Sequence, residues 1–164
     1  MGERYNVLFL CRANSARSIM AEALLRQLAP ERFSAFSAGV EPMSDVHALT
    51  LAQLRPTIHD LGKLRPKSWD IYAAPDAPHM DIVIAMSEEA YEQRAPSFPG
   101  KPTFCYWDFP DPLDEQLTEA EQRQIFERVF RQILRRISVF VALPLQSMRK
   151  DDQQVAVNST GEPS

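Results

Sequence analysis

Cys11 and Arg17 stand six residues apart in the stretch Cys11-Arg12-Ala13-Asn14-Ser15-Ala16-Arg17-Ser18. A thiolate is a strong nucleophile. A guanidinium grips two oxygens of an oxyanion at once, a geometry that a lysine ammonium does not supply. Together they suit displacement at a tetrahedral oxyanion centre. The stretch follows the apolar run Val7-Leu8-Phe9-Leu10 and precedes a helical pattern. A loop at such a junction aims several backbone N–H groups into one concavity, with a helix N-terminus behind it. It lacks Gly-Lys-Ser/Thr, so it is no Walker-type nucleotide loop. In this reading Cys11 lies beneath the anion, where N–H groups and the helix dipole favour the thiolate. Ser18 donates a hydrogen bond to the sulfur. Asn14 tolerates a left-handed backbone and braces the loop. Cys11 and Arg17 are thus candidate catalytic residues. Arg12, Ala13, Asn14, Ser15, Ala16 and Ser18 are candidate substrate-binding positions. Arg12 either adds positive charge at the pocket mouth or points to solvent. A lone cysteine at a strand end also fits a small buried apolar residue. Two features favour chemistry instead: few large apolar side chains inside the loop, and Ser directly after Arg.

The elements around the loop read as alternating strands and helices. Tyr5 to Leu10 is a buried strand. Ser18 to Leu28 is a helix, with Met20, Ala23, Leu24, Gln27 and Leu28 at helical spacing and Pro30 after it. Phe33 to Val40 is a second strand, closing at Gly39. Val46 to Leu54 is a helix stopped by Pro56. Pro56 to Pro78 reads mostly as loop, with a short helix near Ser68 to Tyr72. Asp81 to Met86 is a buried strand, and Ser87 caps a helix running to about Arg94. Thr103 to Tyr106 is a short strand. Thr118 and Glu121 form a capping box. Phe126, Val129, Phe130, Ile133, Ile137 and Phe140 then give an amphipathic helix, ended by Pro144. Its five arginines (Arg123, Arg128, Arg131, Arg135 and Arg136) occupy other faces. This alternation predicts an α/β domain, with helices flanking a four-stranded parallel sheet in three layers. Ligands of such sheets bind beyond the carboxyl ends of the strands. The loops from Cys11 and from Trp107 both lie there.

The 164 residues match one domain, with 45% apolar and 24% charged residues. Eighteen basic residues against 22 acidic ones give a net charge of −4, without the basic excess of a nucleic-acid binder. Only Cys11 and Cys105 carry thiols, which excludes a disulfide scaffold and a cysteine-rich zinc site. His47, His59 and His79 lack ligand-like spacing, so no metal is expected. No apolar run approaches the roughly 18 residues needed to cross a membrane, and no signal peptide is evident. The expected setting is cytoplasmic. Residues 1–145 read as the catalytic domain. Residues 146–164, without large aromatics, read as a mobile tail.

Cys-x5-Arg-Ser after an apolar strand resembles the low-molecular-weight protein tyrosine phosphatase superfamily, and within it most of all the arsenate reductases built on that fold. The likeness runs from Asn6 to about Leu145. It includes Phe36-Ser37-Ala38-Gly39, Lys67-Ser68-Trp69-Asp70, Phe98-Pro99-Gly100 and Trp107-Asp108-Phe109-Pro110-Asp111-Pro112. The resemblance implies that Asp111, ahead of Pro112, is a catalytic general acid that protonates the leaving oxygen. Pro110 and Pro112 stiffen its loop. Asp108 and Asp114 are alternatives. Six carboxylates and no basic residue lie between Trp107 and Glu121, and such crowding favours a protonated acid among them. Trp107 is a wall of the site or a core residue.

Two departures bear on function. Thioredoxin-coupled arsenate reductases of this kind carry two further relay cysteines after the strand matching Asp81 to Met86. Here Ser87 stands where the first is expected, and no Cys follows before Pro96. Reduction then needs an external thiol, such as glutathione with glutaredoxin, or Cys105 as resolving thiol; Cys105 equally fits an inert core position. The tyrosines that follow Asp-Pro in the phosphatases are replaced by Leu113-Asp114. The expected function is a cysteine-dependent arsenate reductase using an external thiol, with no tightly bound cofactor. The alternatives are a phosphomonoesterase with a phosphocysteine intermediate and a non-catalytic oxyanion-binding domain.

Overall fold

A computed structural model describes residues 4–58, 60–92, 96–113 and 116–160. The elements in order are β1 (Tyr5–Cys11), α1 (Arg17–Leu28), β2 (Phe33–Gly39), α2 (Ala48–Leu54), a 3-10 turn (Trp69–Tyr72), β3 (Ile82–Ala85), α3 (Glu88–Glu92), β4 (Thr103–Tyr106), α4 (Glu119–Val141), a second 3-10 turn (Leu145–Ser147) and α5 (Lys150–Ser159). The four strands form one parallel sheet in the order β2-β1-β3-β4. Parallel strands need crossovers, and the intervening helices supply them. The expected α/β architecture is therefore the observed one.

β1 lies inside the sheet, and Val7, Leu8, Phe9 and Leu10 are wholly buried. Strand side chains alternate between faces. Val7, Phe9 and Cys11 accordingly join the core that α1 and α4 cover. Leu8 and Leu10 join a second core with Trp69, Tyr72, Met80 and Phe98. This alternation puts the Cys11 thiol on the α1 side, at the carboxyl end of the sheet. β2 ends in register with it, Cys11 opposite Gly39.

α4 starts where its capping box predicts. Thr118 Oγ1 accepts from the Glu121 N–H at 3.2 Å, and the Glu121 carboxylate accepts from the Thr118 N–H at 3.0 Å. Its buried stripe is Phe126, Val129, Ile133, Ile137 and Phe140, joined by Arg136. Arg136 departs from the expectation that the arginines face away. Its guanidinium lies 5.0 Å from the Trp107 ring centre and donates to the Asn158 carbonyl. Among the described residues no helix is long and apolar enough to cross a membrane.

The tail expected from residue 146 requires correction. Its described part continues through the second 3-10 turn and α5 and docks on β4. Trp107 Nε1 donates to the Val157 carbonyl at 2.7 Å, and Asn158 Oδ1 accepts from the Tyr106 N–H at 2.9 Å. Val157 is wholly buried. The segment lacks aromatics because it mainly pairs polar groups at the sheet edge, as Gln154 Nε2 does with the Phe104 carbonyl at 2.7 Å, while Val157 enters the core and Met148 packs against it. Pro144 ends α4 without ending the fold.

Ending the chain at Ser147 should destabilise it. Trp107 Nε1 and the Tyr106 N–H would lose their partners, at about 1–3 kcal/mol for each donor left buried. Chemical denaturation checks this, since loss of a mobile tail would leave the midpoint unchanged.

Candidate active site

The loop between β1 and α1 is shaped from outside. The Cys11 carbonyl accepts from Val40 N–H at 3.1 Å, Arg12 from Glu41 at 2.8 Å, Ala13 from Met43 at 3.0 Å and Ser15 from His47 at 3.1 Å. Thr50 Oγ1 adds a second bond to the Ser15 carbonyl at 2.8 Å. A trans peptide aims its C=O and the following N–H in opposite directions. With these carbonyls bonded outward, the N–H groups of Arg12, Ala13, Asn14 and Ala16 turn to the concave side. The Asn14 N–H shows that direction: it points at Cys11 Sγ, 3.3 Å away.

Asn14 makes the reversal, at φ 49°. Its buried side chain then locks the turn. Nδ2 donates to Ser18 Oγ at 2.7 Å, and Oδ1 accepts from the Lys67 N–H at 2.8 Å. Ser18 Oγ lies 2.8 Å from Cys11 Sγ. Because Ser18 accepts from Asn14, its own proton is free to point at the sulfur. A cysteine thiolate here thus meets two donors, Ser18 O–H and Asn14 N–H. Gly39 permits the close packing beneath. A Cβ there would lie 2.8 Å from the Arg12 carbonyl oxygen and 2.9 Å from Asn14 Cβ.

Arg17 is 5% exposed and opens α1. One terminal nitrogen donates to the carbonyls of Met86 at 3.2 Å and Phe109 at 3.3 Å. These acceptors follow β3 and β4, so the carboxyl ends of two strands aim the guanidinium. The other terminal nitrogen lies 3.6 Å from Asp111 Oδ1. Asp111 Oδ2 lies 3.8 Å from the Arg12 guanidinium. Of the two orientations open for Arg12, the observed one places its charge at the mouth. Asp111 Oδ1 also accepts from the Leu113 N–H at 2.9 Å, which fixes the Asp-Pro turn. The structure therefore brings Cys11, Arg17, Asp111 and the loop residues Arg12, Ala13, Asn14, Ser15, Ala16 and Ser18 together around one end of the sheet. A cleft of about 170 Å³ beside Arg17 and Asp111 is rimmed by Glu88, Glu89 and Asp108. Beside the carboxylates of this rim, Asp111 also has two guanidinium neighbours, which the sequence did not show. Asp114 lies outside the described residues, as do His59 and Arg94.

Other expected residues fall elsewhere. Trp107 is core rather than wall, wholly buried against Phe9 and Phe140. Cys105 is buried, and burial pushes its thiol up to about 12. Ser87 does cap α3, its Oγ accepting from the Ala90 N–H at 3.2 Å. His47 caps α2 with Nδ1, and burial holds its pKa below the usual histidine value. Sequence reasoning missed the outer scaffold: Gly39, the Lys67 N–H, Thr50 and the Met86 and Phe109 carbonyls. A glycine closing β2 was visible, but its role depends on the pairing of Cys11 with Gly39.

The sequence profile of the low-molecular-weight phosphotyrosine protein phosphatases matches residues 6–154. The chain belongs to this family. The arsenate reductase of Bacillus licheniformis is 30% identical over 135 residues, which span 82% of this chain and 93% of its own. That of Bacillus subtilis is 29% identical over 135 residues, with the same coverage. Among solved structures, an arsenate reductase in the oxidized state aligns with TM-score 0.63 at 25% identity, covering 81% of this chain and 93% of its own. The Escherichia coli K30 tyrosine phosphatase Wzb, in complex with sulphate, aligns with TM-score 0.57 at 19% identity, over 80% of this chain and 94% of its own; at that identity it supports the fold alone. The family is one of cysteine-based enzymes, and this chain is an enzyme of that kind.

Replacing Gly39 with Ala should displace Arg12 and Asn14 and weaken oxyanion binding about tenfold or more, some 1.4 kcal/mol. Phosphate titration followed calorimetrically measures it, with circular dichroism confirming that the fold persists.

Proposed function

We propose that the chain is a cysteine-dependent arsenate reductase that takes its reducing thiol from outside. The observation that carries the reading is the Cys11 sulfur, held by Ser18 and the Asn14 N–H beneath a loop rimmed by Arg17 and Asp111. The likeness to curated arsenate reductases supports arsenate as the oxyanion.

In the first step arsenate seats on the loop N–H groups and takes over Arg17. This frees Asp111 from the guanidinium. The Cys11 thiolate attacks arsenic, an S–As bond forms, and one As–O bond breaks. Asp111 protonates the departing oxygen, which leaves as water. No electrons have yet changed hands. In the second step an external thiolate attacks Cys11 Sγ. An S–S bond forms, and the S–As electron pair stays on arsenic, which falls from As(V) to As(III). A second external thiol then releases Cys11 as thiolate and leaves as the oxidised disulfide. Glutathione with glutaredoxin fits this role, in a reducing cytoplasmic setting. Cys105 does not suit it: the thiol is buried, and burial keeps it protonated at neutral pH. Ser87 supplies a cap where a relay thiol would be required.

A second reading rests on the same missing relay. A phosphomonoesterase needs no resolving thiol, and Asp111 would activate water to release a phosphocysteine. Arsenate and phosphate share shape and charge, so the loop accepts both.

Arsenate-dependent NADPH oxidation, coupled through glutathione and glutaredoxin, tests the first reading beside p-nitrophenyl phosphate turnover on the same preparation. Arsenate turnover is expected, with loss to background in Cys11→Ser. Its absence alongside efficient ester hydrolysis would establish the second reading. Asp111→Asn should lower kcat about 10²–10⁴-fold. Arg17→Lys should cost about 10²–10³-fold, since a two-pronged contact is lost. Cys105→Ala should stay within about twofold of the wild type, the size of a modest packing effect.

A further inference from the structure

A second recess, of about 440 Å³, opens near the β2 edge, lined by residues unlike those of the first. Arg26 reaches it from α1, and Lys63, Arg65 and Lys67 from the segment after α2. The chain as a whole is acidic, at net charge −4. Four cations nevertheless meet here with a single lining carboxylate, Glu22.

Glu22 is already committed. It is 3% exposed, accepts from Ser37 Oγ at 2.5 Å, and pairs with Arg26 at 2.9 Å and Lys67 at 3.7 Å. One buried carboxylate therefore serves two cations. Lys63 pairs with Asp60, at 3.6 Å in the open, where an ion pair contributes little. Among the described residues the Arg65 guanidinium has no ion-pair partner. Burial holds the Lys67 ammonium below the usual lysine pKa; Glu22 pulls it back up, and the Arg26 and Arg65 charges add smaller downward pushes. Phe36 and Tyr72, packed edge to face at 5.6 Å, form an apolar wall of the same recess.

We propose that this recess binds a di- or triphosphate group. Several linked anionic charges match several clustered cations, whereas one monoanion leaves most of the like-charge crowding in place. Guanidinium groups suit phosphate oxygens by their forked donors, and the lysines add point charges. An attached planar base would pack on Phe36 and Tyr72. The recess is also tied to the catalytic loop, because the Lys67 N–H holds Asn14 and its carbonyl accepts from the Gly39 N–H at 2.7 Å.

Calorimetric titration of the full chain with tripolyphosphate and, separately, with ATP tests this. Saturable binding is expected, surviving Arg17→Ala and weakening at least tenfold in the double variant Lys63→Glu/Arg65→Glu. That double variant should keep its turnover within twofold, since neither residue touches the Cys11 loop. Tighter binding of ATP than of tripolyphosphate would place a base on the aromatic wall; equal binding would assign the affinity to the phosphates alone. Two results would overturn the proposal. One is no saturable binding of either probe. The other is binding lost in Arg17→Ala and unchanged in Lys63→Glu/Arg65→Glu, which would assign the polyphosphate to the catalytic loop. Both readouts are binding, so they stand whether arsenate or a phosphate ester proves to be the substrate.

Discussion

Everything at this site depends on where the carbonyls of the Cys11 loop go. A peptide group has two polar ends, and burying one unpaired is costly. Val40, Glu41, Met43 and His47 take the carbonyls from outside. The opposite N–H ends are thereby left for an anion. The loop is thus shaped by a strand end and a helix start that contribute no chemistry themselves. Gly39 sits where that outer layer and the loop touch, and a methyl group would separate them.

The same division of labour recurs at Asp111. Arg17 is held by two carbonyls at the ends of β3 and β4 before any substrate arrives. Its other terminal nitrogen faces Asp111, whose turn is held by the Leu113 N–H. Asp111 thus waits beside the position an oxyanion would take. A guanidinium fixed in advance loses little entropy when the anion binds, which is how preorganised sites gain affinity. The Glu88, Glu89 and Asp108 rim surrounds this cation with negative charge.

The sequence made some of this readable and hid the rest for physical reasons. Strand runs, the Thr118–Glu121 box and the Cys11–Ser18 loop declare themselves through local pattern, and the structure reproduces them. Asp111 came from a family motif, since neighbouring residues alone pointed to several carboxylates. What stayed hidden depends on contacts between distant segments. Gly39 needs its register with Cys11 to acquire a role, and Lys67 acts on Asn14 through a backbone N–H that any residue but proline carries. Arg136 looks like one of five surface arginines until Trp107 stacks on it. α5 looked like a tail because its polar side chains satisfy a sheet edge instead of filling a core.

Cys105 lies in the core and Ser87 caps a helix, so Cys11 has no evident partner thiol within the described residues. What becomes bonded to Cys11 during turnover therefore separates an external reducing thiol from an internal one. Mass spectrometry of protein quenched after mixing with arsenate and glutathione reads this directly. A glutathione–Cys11 mixed disulfide that forms only when arsenate is present is the predicted species. A Cys11–Cys105 disulfide, or a Cys11 that arsenate leaves unchanged, would contradict reduction by an external thiol at Cys11.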